Sequence, residues 1–373
     1  MRKSFSRGRD LFLAIYESPQ RAPLQECSGN LVHAVSSFNV VQHGAKASDV
    51  IASTNLSGQA NPYCPPPRLL RYCVPRNDRR NLRCYNVTVL VTVIGLGLIG
   101  GSIGLALRQG KKSSWEIVGH SRHRETVAKA LSVGAIDRGE TNLKDAVERA
   151  ELVIIATPVL TVKEIFSRIA PHLPSGCIVT DTGSTKVQVM KWAKEMLPPT
   201  VHFIGGHPMA GRETYGIQAA EADLFRRCTY CLTASEKASP KSMDTVIGMT
   251  IKLGAIPFLI DPQEHDNLVA GISHLPILLS AALVSLTTKN PSWSKMSKLA
   301  SSGYHDLTRL ASGNPEVNSH ICLSNQKAIV DWIDEFSQEL KRYRQLVAKG
   351  DKRLEQALTE ANNARQEWLK QTR

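Results

Sequence analysis

The apolar positions along the chain change rhythm twice. Residues 1–85 keep neither the two-residue alternation of a half-buried strand nor the 3.6-residue stripe of a helix. From residue 87, short runs rich in Val and Ile alternate with longer amphipathic segments. The runs predict strands at 87–94, 115–119, 152–156, 177–181 and 201–205. Helices are expected over 98–109 and 161–171, with another opening at Gly183-Ser184-Thr185-Lys186. Continuous apolar strands alternating with helices imply a parallel sheet covered on both faces. From Asp261 onward the strands disappear. Residues 264–289, 294–311, 314–348 and 351–370 read as helices, interrupted at Asn290-Pro291 and Asn314-Pro315.

One stretch invites a different reading. Val87 to Leu107 carries no charge and is long enough to span a bilayer. Its first half is β-branched, however, and glycines then crowd the stretch 95–104. That order predicts strand, tight turn and helix, so no membrane partner is expected.

Composition changes the picture little. The formal charge of +13 raises the question of nucleic acid. The basic excess is spread between residues 1–90 and the remainder with no dense basic block, and no nucleic-acid reader motif accompanies it. An enzyme with an anionic substrate has the same balance. Cys228 and Cys231 form a C-x-x-C, but without a second pair or a nearby His they read as free thiols in a strand, and no metal site is expected.

The turn after the first strand reads Gly95-Leu96-Gly97-Leu98-Ile99-Gly100. Between a strand and a helix, this G-x-G-x-x-G is a dinucleotide fingerprint. Gly95 permits the turn, Gly97 lets the backbone approach a pyrophosphate, and Gly100 lets helix and strand pack closely. Leu98 and Ile99 open the helix whose N-terminal N–H groups face the phosphates. A site for NAD usually places Asp or Glu at the end of the second strand. Here the chain reads His120-Ser121-Arg122-His123-Arg124. Ser121, Arg122 and Arg124 suit a 2′-phosphate, so NADP is expected, with NAD the alternative. Thr157 and Pro158 close the strand at 152–156 and face the same crevice.

Polar residues gather at the ends of the later strands. Gly205-Gly206-His207-Pro208-Met209-Ala210-Gly211 presents a His framed by glycines and proline, read as lying outside any regular element. This segment, Gly95–Ser102, Asp181-Thr182-Gly183-Ser184-Thr185-Lys186, Ile272-Ser273-His274-Leu275-Pro276 and Ala300–Arg309 together resemble the prephenate/arogenate dehydrogenase family of tyrosine biosynthesis. The resemblance runs in order over about residues 91–345. It implies an α/β fold: an N-terminal Rossmann-type doubly wound parallel sheet, followed by an all-helical C-terminal dimerisation domain. The implied reaction is NAD(P)-dependent oxidative decarboxylation of prephenate to 4-hydroxyphenylpyruvate, with arogenate to tyrosine as the alternative.

The resemblance also implies roles. His207 accepts the proton of the ring hydroxyl, and Ser184 orients His207 or that hydroxyl. Arg309 binds a substrate carboxylate, His274 lines the pocket, and Glu213 and Asp306 gate or brace it. On the residues alone, His274 also reads as a core histidine, and Asp306 and Arg309 as an i, i+3 pair. A β-hydroxyacid dehydrogenase or a non-catalytic NADP-binding sensor are the competing functions. Neither accounts for His207, Ser184 and Arg309 together.

The stripe Ile321, Ile329, Trp332, Phe336, Leu340 and Tyr343 keeps helical spacing, and the family's interlocked subunits imply that part of it meets the partner of a homodimer. The expected division is an extension over 1–86, a dinucleotide-binding domain over 87–260 and a helical domain over 261–373. The extension is Arg- and Ser-rich and poor in acids. It reads either as a transit peptide, implying the plastid stroma, or as sequence ahead of the true start, implying the cytoplasm.

Overall fold

The computed structural model describes residues 72–75, 82–85, 89–110 and 114–371. The expected extension lies outside these residues, apart from two short strands, Tyr72–Pro75 and Leu82–Tyr85, that pair with each other.

An eight-stranded sheet is built from β1 (Val89–Ile94), β2 (Trp115–His120), β3 (Arg138–Glu140), β4 (Leu152–Ile155), β5 (Ile178–Asp181), β6 (His202–Pro208), β7 (Thr229–Ala234) and β8 (Ile256–Leu259). Its order is β8-β7-β6-β5-β4-β1-β2-β3. Every pairing is parallel except β6 with β7. The strand order reverses between β1 and β4, and this switch point is where doubly wound sheets bind dinucleotides.

Alternation along the central strands feeds two cores. Val91, Val93, Leu152 and Ile154 enter one, with α1 (Leu98–Arg108), α2 (Arg124–Ser132) and α6 (Pro240–Lys252). Ile94, Val153 and Ile155 enter the other, with α3 (Leu143–Val147), α4 (Val162–Ile169) and α5 (Val187–Met196). The uncharged stretch is therefore, over residues 89–107, central strand, turn and buried helix.

Four expectations are corrected, one being the helix 294–311, which is interrupted by extended backbone at Ala300 and Ser301. His207 lies inside β6, because β7 pairs antiparallel with its last residues, His207 opposite Cys231 and Pro208 opposite Tyr230. Pro208 ends the strand, where its missing N–H breaks no ladder. The expected helix 264–289 is two, α7 (Pro262–Val269) and α8 (Leu275–Thr288), joined by a π-helical segment, Ala270–His274. The expected helix 314–348 divides at Asn325 into α11 (Pro315–Ser324) and α12 (Gln326–Lys349). Asn325 leaves the helical conformation, and its amide donates to the Asp266 carbonyl at 2.7 Å.

The remaining helices are α9 (Trp293–Leu299), α10 (Ser302–Thr308) and α13 (Arg353–Gln371). Their starts follow local chemistry. Asp261 accepts from the N–H groups of Gln263 and Glu264, and Asn314 from those of Glu316 and Val317, each ahead of a proline at the first helical position.

Among the described residues, the helical run Pro262–Thr288 is long and apolar enough to cross a bilayer. Its first half is built into the body instead: His265, Asp266 and His274 are buried in it, and the Trp332 indole crosses it so closely that a Cβ on Gly271 would lie 2.5 Å from the ring. The amphipathic stripe also divides. Ile321 and Ile329 are core, whereas Trp332, Phe336 and Leu340 are exposed.

Candidate active site

At the β1–α1 turn, Gly95 has φ +98° and a Cβ on Gly100 would lie 1.9 Å from the Gly95 carbonyl oxygen. A Cβ on Gly97 would meet nothing within 4 Å. Helix α1 has no capping side chain and no acid in its first turn, so its N-terminal N–H groups and positive dipole are available to an anion. These features fit a dinucleotide pyrophosphate.

Beside the turn lies a cavity of about 250 Å³. Gly95, Ser121, Arg122, Thr157 and Pro158 line it together. Arg124 is the first residue of α2, exposed and outside this lining. Sequence reasoning missed Arg168, from α4, and Glu316, from α11, which also line the cavity. Arg168 pairs with Glu164 at 3.3 Å. Burial holds the His120 imidazole below its ordinary pKa, and the nearby Arg168 and Arg122 push the same way.

The second cluster is buried at the end of β6. His207 Nδ1 is 2.9 Å from His265 Nε2, and His265 Nδ1 is 2.7 Å from Asp266 Oδ1. Asp266 also accepts from the N–H groups of Lys186 at 2.7 Å and Val187 at 2.9 Å, capping the start of α5 from another helix. Below it, Lys186 donates to Asp181 at 2.5 Å and to the Gly206 carbonyl at 2.6 Å, with both charged side chains fully buried. The glycine before His207 is needed for this approach: a Cβ on Gly206 would lie 2.5 Å from the Asp181 carbonyl oxygen.

Burial, with His265, Lys186 and His274 close by, holds the His207 imidazole well below its ordinary pKa. His207 is therefore neutral at pH 7, as a base must be. Burial also pushes His274 down to about 4, while Asp266 and the Ser184 carbonyl beside the ring pull the other way. His274 Nδ1 lies 3.3 Å from the Asn325 amide. The ring hydrogen bond of His207 goes to His265; Ser184 enters this cluster through its carbonyl. His265, Asp266 and Asn325 were not singled out in the sequence, and Asp181 and Lys186 entered only as the ends of a motif, without a role. The adjacent His265-Asp266 pair, in a polar helix start just ahead of an apolar run, was the available signal.

Arg309, after α10, forms an ion pair with Glu213, so these two expected site residues meet. Asp306 does not take up Arg309; it is exposed and faces His305 at 3.8 Å. Cys228 and Cys231 are free thiols, and burial pushes Cys228 up to about 11.

Two family models match the chain. Residues 103–257 match the prephenate dehydrogenase nucleotide-binding domain, and residues 261–360 the prephenate dehydrogenase dimerization domain. The prephenate dehydrogenase of Bacillus subtilis is 34% identical over 263 residues, covering 70% of this chain and 71% of that protein. The cyclohexadienyl dehydrogenase of Zymomonas mobilis is 29% identical over 264 residues, 70% of this chain and 89% of that protein. Among solved structures, Aquifex aeolicus prephenate dehydrogenase in complex with hydroxyphenyl propionate and NAD+ superposes with a TM-score of 0.69 at 28% identity, covering 75% of this chain and 98% of that one. Synechocystis arogenate dehydrogenase gives 0.64 at 31% identity, with 75% and 100% covered. The glycine turn at the switch point, the buried His207 and the matches across both halves agree: the chain belongs to the prephenate dehydrogenase family, oxidoreductases of tyrosine biosynthesis.

Proposed function

We propose that the chain oxidises prephenate to 4-hydroxyphenylpyruvate with loss of carbon dioxide, and prefers NADP to NAD. The observation that carries this reading is His207. It is buried and neutral at the end of β6, with Nδ1 engaged by His265. Nε2 is then the ring nitrogen that serves a substrate hydroxyl.

A bound nicotinamide cofactor supplies a hydride acceptor for the ring carbinol carbon. His207 takes the hydroxyl proton as the carbinol becomes a carbonyl. The ring carboxylate leaves as carbon dioxide, and the electrons of its broken carbon–carbon bond complete the aromatic ring. The phenolate oxygen recovers the proton from His207. Arg309 binds a substrate carboxylate through its planar fork of donors, and Glu213 holds the guanidinium in place. Ser184 orients the ring hydroxyl, His274 lines the pocket, and Asp306 braces its rim.

Gly95, Gly97, Leu98, Ile99 and Gly100 carry the pyrophosphate, with Thr157 and Pro158 beside it. NADP preference is supported by Ser121 and Arg122 in the cavity wall, with Arg124 following them where a carboxylate would select NAD. The catalytic unit divides near residue 260, behind an extension over 1–86, and works as a homodimer through its helical region. The exposed Phe336, Leu340 and Val347 and the name of the matched C-terminal domain support that assembly. It acts in the cytoplasm, or in the plastid stroma if the extension is a transit peptide.

Arogenate is the second reading, favoured by the similarity to the Synechocystis enzyme. Turnover of both substrates with both cofactors tests the proposal. Prephenate with NADP is expected to give the highest kcat/KM; arogenate prevailing would select the second reading, and no turnover of either would refute both.

A further inference from the structure

Hydrogen-bond directions in the buried cluster are determined by Asp266. Its Oδ1 accepts from the Lys186 N–H and its Oδ2 from the Val187 N–H. A carboxylate held this way, at a helix N-terminus, is an acceptor. The proton between Asp266 and His265 therefore sits on His265 Nδ1. A neutral His265 then offers a lone pair at Nε2, so the contact to His207 at 2.9 Å has His207 Nδ1–H donating.

We propose that His265 and Asp266 are positioning residues that hold His207 in its Nδ1–H tautomer, with the lone pair on Nε2 directed to the substrate hydroxyl. The proposal rests on the reading of His207 as the base. As His207 takes the proton it becomes an imidazolium, with N–H at both nitrogens. Its Nδ1–H keeps the His265 acceptor, and the Asp266 charge, one ring away, stabilises the new cation. No proton need leave His207 until the phenolate reclaims it. The arrangement does for this base what a buried carboxylate does for a catalytic histidine in a hydrolase triad, with a second imidazole interposed. It also explains how a desolvated imidazole gains basicity when the reaction requires it.

The titratable groups around His207 are His265 and Asp266 from α7, Asp181 at the end of β5, Lys186 just ahead of α5, His274 from the π-helical segment, and Cys231 and Tyr230 across the β6–β7 pairing. Among these, only Asp266 both reaches His207 through His265 and carries a charge opposite to the imidazolium without being neutralised by a lysine side chain.

Three variants in the full chain test the proposal: Asp266→Asn, His265→Ala and His265→Gln. In Asp266→Asn the charge behind His265 is lost, and an amide NH2 must face either His265 Nδ1 and the Lys186 N–H or the Val187 N–H, so the fixed direction of the His265–His207 hydrogen bond is lost. We expect kcat to fall by roughly 10²–10⁴, the range set by a lost base and a wrong tautomer, with KM for cofactor within threefold of wild type. The acidic limb of the kcat–pH profile is expected to move to lower pH, because the imidazolium loses its stabilising charge. His265→Ala is expected to lose a similar factor. His265→Gln, which keeps an acceptor and a donor, is expected to recover at least tenfold of it.

Nitrogen-15 NMR of the histidines reads the tautomer without any turnover. His207 is expected to be protonated at Nδ1 in the wild type and to lose that preference in Asp266→Asn. A wild-type His207 protonated at Nε2 overturns the proposal whatever the substrate proves to be. So does Asp266→Asn with kcat within threefold of wild type. Equal losses in Ala and Gln with a lowered Tm and an unmoved acidic limb would reduce the pair to a structural cap and also overturn it. If NMR gives the expected tautomers but neither substrate turns over, the functional reading fails and the relay stands.

Discussion

The two halves of the site are built by different means. Around His207, every charged group is buried and bonded: Lys186 to Asp181 and Gly206, and Asp266 to two backbone N–H groups and His265. Around the cavity beyond the glycine turn, the charges are on exposed or half-exposed side chains, Arg122 and Arg168 among them. The first arrangement fixes geometry and protonation; the second supplies attraction that water screens. Changes in the buried cluster should therefore cost stability and turnover, and changes at the rim should shift cofactor choice with little else altered.

Breaking the buried ion pair is the severest way to test that contrast. Lys186→Met leaves the Asp181 carboxylate buried without its cation. The expected loss is about 3–5 kcal/mol of unfolding free energy in chemical denaturation. A loss below about 1 kcal/mol would place the pair among the screened charges.

The buried histidines give the contrast a pH signature. His274 has its pKa at about 4 in the folded chain, against about 6.5 unfolded. The unfolded state binds the extra proton between these values, so stability is fully present above about pH 6.5 and falls as pH drops toward 4. For His274 alone the loss is about 3 kcal/mol, and His207 adds to it in the same direction. Tm measured from pH 7 to 4 should fall accordingly, and His274→Gln should flatten the slope.

Arg309 lies between the two regimes, paired with Glu213 yet half-exposed. Arg309→Ala should raise the substrate KM by about 1.5–3 kcal/mol, the worth of a charge-assisted contact, with a smaller change in kcat. Arg122→Ala should have the smallest effect. KM for NADP should rise about tenfold, or about 1.4 kcal/mol, with KM for NAD nearly unchanged. Equal losses with both cofactors would remove Arg122 from 2′-phosphate recognition.

The contrast also accounts for what the sequence disclosed. The glycine turn was legible because a pyrophosphate-binding turn is local: a strand, glycines a few residues apart and the start of a helix suffice. The central strands were legible because both faces are buried, so Leu152 to Ile155 reads as an unbroken apolar run and Val91 to Ile94 as one interrupted only by Thr92. His207, His274 and the 181–186 segment were legible singly, but the network that joins them behind His207 was not. Its parts lie far apart in the chain, at residues 181, 186, 207, 265, 266, 274 and 325, and each alone resembles an ordinary cap or core polar residue. Asn325 shows why helix boundaries slipped: helical periodicity continues through it, and only a tertiary partner on α7 shows why the helix stops there. His207 was misplaced in a loop because Gly-Gly before it and Pro after it are turn residues locally, while the β7 pairing that makes them strand is non-local.

The most direct test of the account is the His207→Asn variant assayed with prephenate and NADP beside a cofactor-binding titration. Asn keeps a polar side chain of similar reach but takes no proton near neutral pH. The account predicts kcat reduced by roughly 10²–10⁴ with cofactor affinity unchanged. Near-normal turnover in that variant would contradict it.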